Sequence, residues 1–434
     1  MRRRSARGRA GLGAGLGARL AAAVCGLALA AAALTGCSTG APHPVGPRFE
    51  VSRDPSLSWR PIAIKVLALP PGQPVTITAT VAAGSGWSSR AVYAVPGDGV
   101  VDLTTQAPLQ AAFHGADGMG LFWTLAPRSG NSADAAAADA PAWGTSTVSV
   151  RLDAETAGRT VARTSVDRVG LRDYVAPRAV FHDGIGGDYY DPPATSEGLR
   201  PAVIVFDGTD TGATPALPLA AQVAALGYPT LALSTFGPAG EPDPSHTLDA
   251  SRFTAALAWL RSQPGVDRDR IFTFGTSRGA QLALWAAVAY DDQVYGAIAP
   301  AGTTGLICTS PVPSPAVTVD GSWVPCTTGT HVVSPGSVLS LDRIQGPLLL
   351  ACAGHDEQLD NGCAWMAAGV TARGRHPGDI YLRLSDATHL FYAPPYTPLG
   401  LDGSSRKQAT EEARVVFWRA VAAALSAPSS VPGH

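Results

Sequence analysis

"FTFGTSRGAQLAL", residues 272 to 284, decides how this chain is read. An apolar run ends at Gly275, turns through Thr276 and Ser277, and leaves through Arg278 and Gly279 into an apolar, helix-like segment. The chain has 48 glycines in 434 residues, so a chance G-x-S-x-G is expected about 0.3 to 0.4 times, and the pattern alone proves little. Its context carries the weight. A serine at a sharp strand-to-helix turn is the setting of a nucleophile elbow, in which small neighbours allow a strained turn that lifts the hydroxyl above a sheet. The same turn puts Ser277 at a helix N-terminus, where backbone N–H groups and the helix dipole favour developing negative charge.

The surroundings of Ser277 repeat one texture. From about residue 178, apolar strand-like runs such as "PAVIVFDG", "IFTFGTS", "YGAIAPAG" and "GPLLLACAG" alternate with helix-like ones such as "DASRFTAALAWLRSQ". Continuous apolar strands between helices predict a mostly parallel sheet covered on both faces. Phe253, Ala256, Leu257 and Leu260 keep helical spacing. The expected fold is therefore an α/β-hydrolase domain over 166–427, ending in a tail at 428–434. The stretch 303–345, rich in Pro, Ser, Thr and Gly and without a period, is expected to be an insertion over the strand ends.

Before it comes a different texture. "VTITATV", Val75 to Val81, alternates strictly between apolar residues and threonine, as a half-buried strand does. "RAVYAV" and "TVSVRLDA" point the same way, so 48–165 is expected to be a small β-sandwich. "RSGNSADAAAADAPAWG", residues 128 to 144, is expected to be a low-complexity loop within it.

A serine needs a base, and the base needs an orienting carboxylate. In this fold the chain order is serine, acid, histidine. Of the later histidines, His389 in "LSDATHLFYAPPY" follows the last strand and lies where the base belongs. His331 and His376 are expected at the surface, and His355 exposed. The acid should follow the preceding strand, "PLLLACAGHDEQ", where Asp356 and Glu357 are adjacent. Only one can point at His389. Glu357, three residues past Gly354, is the expected acid and Asp356 the alternative. The Arg278 amide, with amides near Gly208 and Thr209 in "VFDGTDTG", is expected to form the oxyanion hole. Neither a metal nor an organic cofactor is needed.

The N-terminus reads as a targeting segment. "MRRRSARGRA" is basic, and seventeen uncharged residues, Leu20 to Gly36, lead to "LTGC". That ending resembles a bacterial lipobox, which implies a signal peptide over 1–36, lipidation of Cys37 and a tether over 37–47. The expected location is the outer face of the bacterial cell membrane, with the lipid as the membrane contact. Without residues 1 to 36 the chain carries 26 basic and 34 acidic side chains, a net of −8. No basic stripe remains, which argues against nucleic-acid binding, and a monomer is expected. Four cysteines then remain, Cys308, Cys326, Cys352 and Cys363. In an exported chain they suggest two disulfides, with three possible pairings. Cys308–Cys326 and Cys352–Cys363 are favoured because both close short loops.

These motifs resemble a known family, the acyl-CoA thioesterases and bile acid-CoA:amino acid N-acyltransferases. "THLFYAPPYTP" is similar to its histidine motif, "FGTSRGAQLAL" to its nucleophile motif and "GHDEQ" to its acid loop, which aligns Glu357 with the acid. "LPPGQPVTITATV" and "GADGMGLFWTLAP" resemble its β-sandwich domain. The resemblance implies acyl-CoA hydrolysis through an acyl-enzyme. Export argues for another acyl ester or thioester, or for transfer to a non-water acceptor at the surface. Two rival readings are a non-catalytic lipid- or envelope-binding protein on a degenerate hydrolase fold and a secreted peptidase.

Overall fold

The structure, a computed structural model, describes residues 46–171, 175–182, 184–193, 198–206, 217–236, 246–308, 314–401 and 406–427. The leader, Cys37, most of the tether, Gly208, Thr209 and the tail at 428–434 lie outside the described residues.

The N-terminal region is a β-sandwich. Val75–Val81 buries Val75, Ile77, Ala79 and Val81 and turns its first threonines outward, as its alternation requires. It pairs antiparallel with Trp87–Tyr93 on one side and Thr147–Thr156 on the other. These belong to a seven-stranded sheet that Arg159–Val169 extends. A second sheet of Arg48–Val51, Ile64–Leu67 and Val101–Asp102 closes over the same core, in which Ile64 and Val66 meet Ile77, Trp87, Val150, Leu152 and Phe122.

The expected loop at 128–144 is corrected by the structure: Ser132–Thr145 is an α-helix. Asn131 caps it, its side chain accepting from the Ala133 and Asp134 amides. Alanine is the best helix former, so the segment coils without an amphipathic period. The small residues also let it wedge between neighbours. A Cβ on Gly144 would sit 3.0 Å from Pro218 Cβ, and one on Gly170 would meet the Gly144 backbone at 2.4 Å.

The second region is built on eight strands, labelled here β1 (Arg178–His182), β2 (Ile185–Tyr190), β3 (Arg200–Phe206), β4 (Thr230–Leu233), β5 (Val266–Gly275), β6 (Gly296–Pro300), β7 (Leu348–Ala353) and β8 (Ile380–Leu384). Their order across the sheet is β1-β2-β4-β3-β5-β6-β7-β8. From β4 to β8 every pairing is parallel; β2 is antiparallel to both its neighbours. The helices are α1 (Leu217–Ala225), α2 (Ala250–Arg261), α3 (Arg278–Ala289), α4 (Gly362–Arg373) and α5 (Arg406–Ser426). Alternate residues of β3 feed the two faces. Ala202, Ile204 and Phe206 join Phe253 and Leu257 of α2 and Leu282 and Trp285 of α3. Val203 and Val205 join Ala220 and Val223 of α1 and Phe417 and Val421 of α5. Burial on both faces is why these strands read as unbroken apolar runs.

The 303–345 stretch is more ordered than its composition suggests, although 309–313 lie outside the described residues. Val317–Val319 pairs with Leu248–Asp249 and with Ser322–Trp323 in a small sheet. Cys308 is bonded to Cys326, and Cys352 to Cys363, as the short-loop pairing expects.

Candidate active site

Ser277 stands in the turn between β5 and α3. Its backbone is held at φ 54°, ψ −122°, a region a side-chain-bearing residue avoids, at a typical cost of about 1–3 kcal/mol. Sterics enforce that turn. A Cβ on Gly275 would sit 2.0 Å from the Gly279 carbonyl oxygen. One on Gly302 would sit 2.3 Å from Ala280 Cβ and 2.6 Å from the Ser277 carbonyl oxygen. The hydroxyl makes no capping bond to α3, so it is not consumed by the helix it precedes. Arg278 is the first residue of α3, which puts its amide beside the hydroxyl at the positive end of the helix dipole. Gly208 and Thr209, expected to complete an oxyanion hole, follow β3 outside the described residues.

Four backbone hydrogen bonds run along the carboxyl edge of the sheet. Ser277 donates to Pro300 at the end of β6, and Ala301 to Ala351 of β7. Gly354, after β7, donates to Leu384 of β8, and His355 to Ala387. The serine turn, the acid loop and the histidine loop are therefore fastened side by side, although they lie far apart in sequence.

His389 is 1% exposed and opens a short 3-10 turn, His389–Tyr392. Its Nδ1 is 2.7 Å and 2.8 Å from the two carboxylate oxygens of Asp356. This corrects the expected acid. Asp356, not Glu357, meets the imidazole. The Asp356 carboxylate is turned inward because its Oδ1 also accepts the Gln358 and Leu359 amides, at 3.0 Å and 2.8 Å. That turn sends the next side chain the other way. Glu357 is exposed, and its Oε2 accepts the backbone N–H of His389 at 3.1 Å instead. The Asp356 side chain itself is 4% exposed.

A carboxylate can only accept, so Nδ1 donates to Asp356, and Nε2 is the nitrogen that carries the lone pair whenever the imidazole is neutral. Nε2 is buried and makes no hydrogen bond among the described residues. The arrangement leaves one ring nitrogen without a hydrogen-bond partner among the described residues. Tyr392 packs edge-on against the ring at 5.5 Å. The other histidines stand elsewhere: His331 pairs at the surface with Asp360, His376 lies 3.6 Å from Asp379, and His355 is exposed. No group of three or more His, Cys, Asp or Glu among the described residues could hold a metal ion.

Two further features hold the site: a disulfide that the short-loop pairing expected, and the polar face of α5, which was not foreseen. The Cys352–Cys363 bond closes the loop that carries Asp356 and Glu357, joining the end of β7 to the start of α4. The polar face of α5 holds the histidine loop. Thr410 accepts the Thr388 amide at 3.0 Å, Glu411 accepts the Tyr396 amide at 2.7 Å, and Arg414 binds the Thr397 carbonyl and hydroxyl oxygens at 3.0 Å and 2.8 Å. Glu411 and Arg414 are also paired with each other at 2.8 Å. Burial pushes the Glu411 carboxyl up to about 7, outweighing the neighbouring guanidinium. In the sequence "ATEEARVVFW" these residues look like an ordinary solvated face.

The sheet order, with a strained serine turn and a histidine–carboxylate pair at its carboxyl edge, is that of an α/β-hydrolase fold. Residues 60–181 match the family described as the acyl-CoA thioester hydrolase/BAAT N-terminal region. The chain is 27% identical over 365 residues to mouse acyl-coenzyme A amino acid N-acyltransferase 1, covering 78% of this chain and 85% of that protein. It is 26% identical over 311 residues to rat acyl-coenzyme A thioesterase 1, covering 67% and 68%. Solved structures that resemble it include a dienelactone hydrolase-like promiscuous phosphotriesterase from metagenomic libraries (TM-score 0.38, 19% identity, 57% of this chain and 95% of that one). Another is a Mycobacterium tuberculosis puromycin-hydrolyzing peptidase (TM-score 0.42, 14% identity, 86% and 67%). Residues 60–181 are thus similar to the N-terminal region of that family and precede an α/β-hydrolase domain, and relatives at 26–27% identity include an acyl-CoA thioesterase and an N-acyltransferase.

Proposed function

We propose that this protein is a serine hydrolase that cleaves acyl thioesters or esters through an acyl-enzyme on Ser277. The observation that carries this reading is His389: one ring nitrogen docked on Asp356, the other buried without a hydrogen-bond partner among the described residues, on the same sheet edge as the strained serine turn. Nε2 takes the Ser277 proton as Oγ attacks the acyl carbonyl. Asp356 steadies the imidazolium, which then protonates the leaving thiolate or alkoxide. Backbone amides, that of Arg278 among them, receive the oxyanion. Water, deprotonated by the same imidazole, attacks the acyl-enzyme, and the serine recovers its proton.

A second reading has its own support. Relatives that match most of the chain include N-acyltransferases, so an amine or other acceptor in place of water would make the same site a transferase. The leader, ending in "LTGC", supports export and anchoring through lipid on Cys37. Acyl-CoA is scarce outside cells, and a chain with net charge −8 after removal of residues 1 to 36 gives a polyanion no long-range attraction. An uncharged leaving group at the cell envelope fits both facts. The test is a panel of acyl-CoAs, acyl thioesters and esters, each with and without added amines, against wild type and Ser277→Ala. Turnover lost in Ser277→Ala supports the reading. Absence of turnover across the panel, together with tight binding of the same compounds, would favour a binding protein on this fold. Detergent phase partition of wild type and Cys37→Ala tests the anchor.

A further inference from the structure

The amides of Thr388 and His389 are consecutive donors at the point where the chain delivers the imidazole. Side chains from two different elements take them. Thr388 N–H goes to Thr410 Oγ1 on α5, at 3.0 Å, and His389 N–H goes to Glu357 Oε2 on the acid loop, at 3.1 Å. Thr410 is fully buried and Thr388 nearly so. Their hydroxyl oxygens also lie 3.3 Å apart. The imidazole needs nothing from Glu357, because Asp356 already presents both its oxygens to Nδ1.

We propose that Thr410 and Glu357 are positioning residues. They clamp the peptide before and the peptide at His389, so that the ring stays seated on Asp356 and Nε2 keeps one fixed direction. This rests on the serine–histidine reading above. It also gives the adjacent carboxylates separate tasks: Asp356 orients the ring, and Glu357 orients the backbone that carries it.

A purely structural pair of hydrogen bonds would change how much enzyme is folded. A positioning pair changes the rate of each folded site. The experiment therefore counts active sites by fluorophosphonate labelling and measures kcat per labelled site with p-nitrophenyl butyrate. The variants are Thr410→Val, Thr410→Ser, Glu357→Ala and Glu357→Gln, with Asp356→Asn and Ser277→Ala alongside. Small misplacements of reacting groups cost rate steeply, so Thr410→Val and Glu357→Ala are each expected to lose roughly tenfold or more in kcat per site, with KM little changed. Thr410→Ser keeps the hydroxyl and Glu357→Gln keeps an acceptor oxygen, and both should recover most of the loss. Should Thr410→Val fail to fold, the two Glu357 variants decide. Wild-type kcat per site in Thr410→Val and Glu357→Ala overturns the proposal while leaving the serine–histidine reading intact. A Glu357→Gln loss as large as that of Asp356→Asn also overturns it, because the charge would then matter and not the backbone bond. Failure of wild type to label, or full activity in Ser277→Ala, sinks the underlying reading itself.

Discussion

The serine turn and the histidine–acid loops hold their atoms by different means. At the serine turn the constraint is excluded volume: Gly275 and Gly302 have no room for a Cβ, and the backbone of Ser277 is pressed to φ 54°. At the loops it is hydrogen bonding, from Asp356 to the ring and from Glu357 and Thr410 to the backbone. Steric constraints leave a mark in the sequence, because only glycine satisfies them. A hydrogen-bonded arrangement leaves almost none, because many polar residues could supply each acceptor.

That difference sets the expected response to substitution. The largest expected effect belongs to Ser277→Ala, which removes the proposed nucleophile. It should lower kcat by about 10⁴-fold or more, measured on the best ester or thioester found. Thermal stability should hold, since no hydrogen bond from the hydroxyl caps α3. Next comes Asp356→Asn, expected to cost about 10³- to 10⁴-fold in kcat because an amide can no longer fix the Nδ1–H tautomer. Glu357→Gln should stay within several-fold of wild type. If the two were equal, the separation of tasks between the adjacent acids would be wrong.

Gly275→Ala tests the steric side. With 2.0 Å between the new Cβ and the Gly279 oxygen, β5 and α3 must part, at an expected cost of about 3 kcal/mol in urea unfolding. A loss under about 0.5 kcal/mol would mean that the turn is not sterically fixed. The smallest effects come from the disulfides. Replacing either pair by serines should cost about 2–3 kcal/mol, by loop entropy alone. Only loss of Cys352–Cys363, which closes the acid loop, should also lower kcat per folded site. Loss of Cys308–Cys326 should leave kcat per folded site closer to wild type. Equal kcat in the two variants would show that the acid loop needs no staple.

The same contrast explains what could be read without coordinates. Val75–Val81 announces a strand because one face is buried, and β7 announces a central strand because both faces are. Ser277 announces itself through its glycines. Asp356 and Glu357 could not be separated by pattern, since which one faces His389 depends on the turn fixed by the Gln358 and Leu359 amides. The Ser132–Thr145 helix was hidden because alanines carry no periodic signal; Asn131, a strong capping residue, was the clue available. Thr410, Glu411 and Arg414 sit on a segment whose polarity suggests solvent, and only the folded chain shows them buried against the histidine loop.

The most direct measurement is covalent labelling with a fluorophosphonate, followed by mass spectrometry of the modified peptide, in wild type, His389→Ala and Asp356→Asn. One adduct on Ser277 is expected in wild type, forming orders of magnitude more slowly in His389→Ala and markedly more slowly in Asp356→Asn. An adduct on another serine, or Ser277 labelling at the wild-type rate without His389, would contradict a site in which this imidazole activates this hydroxyl.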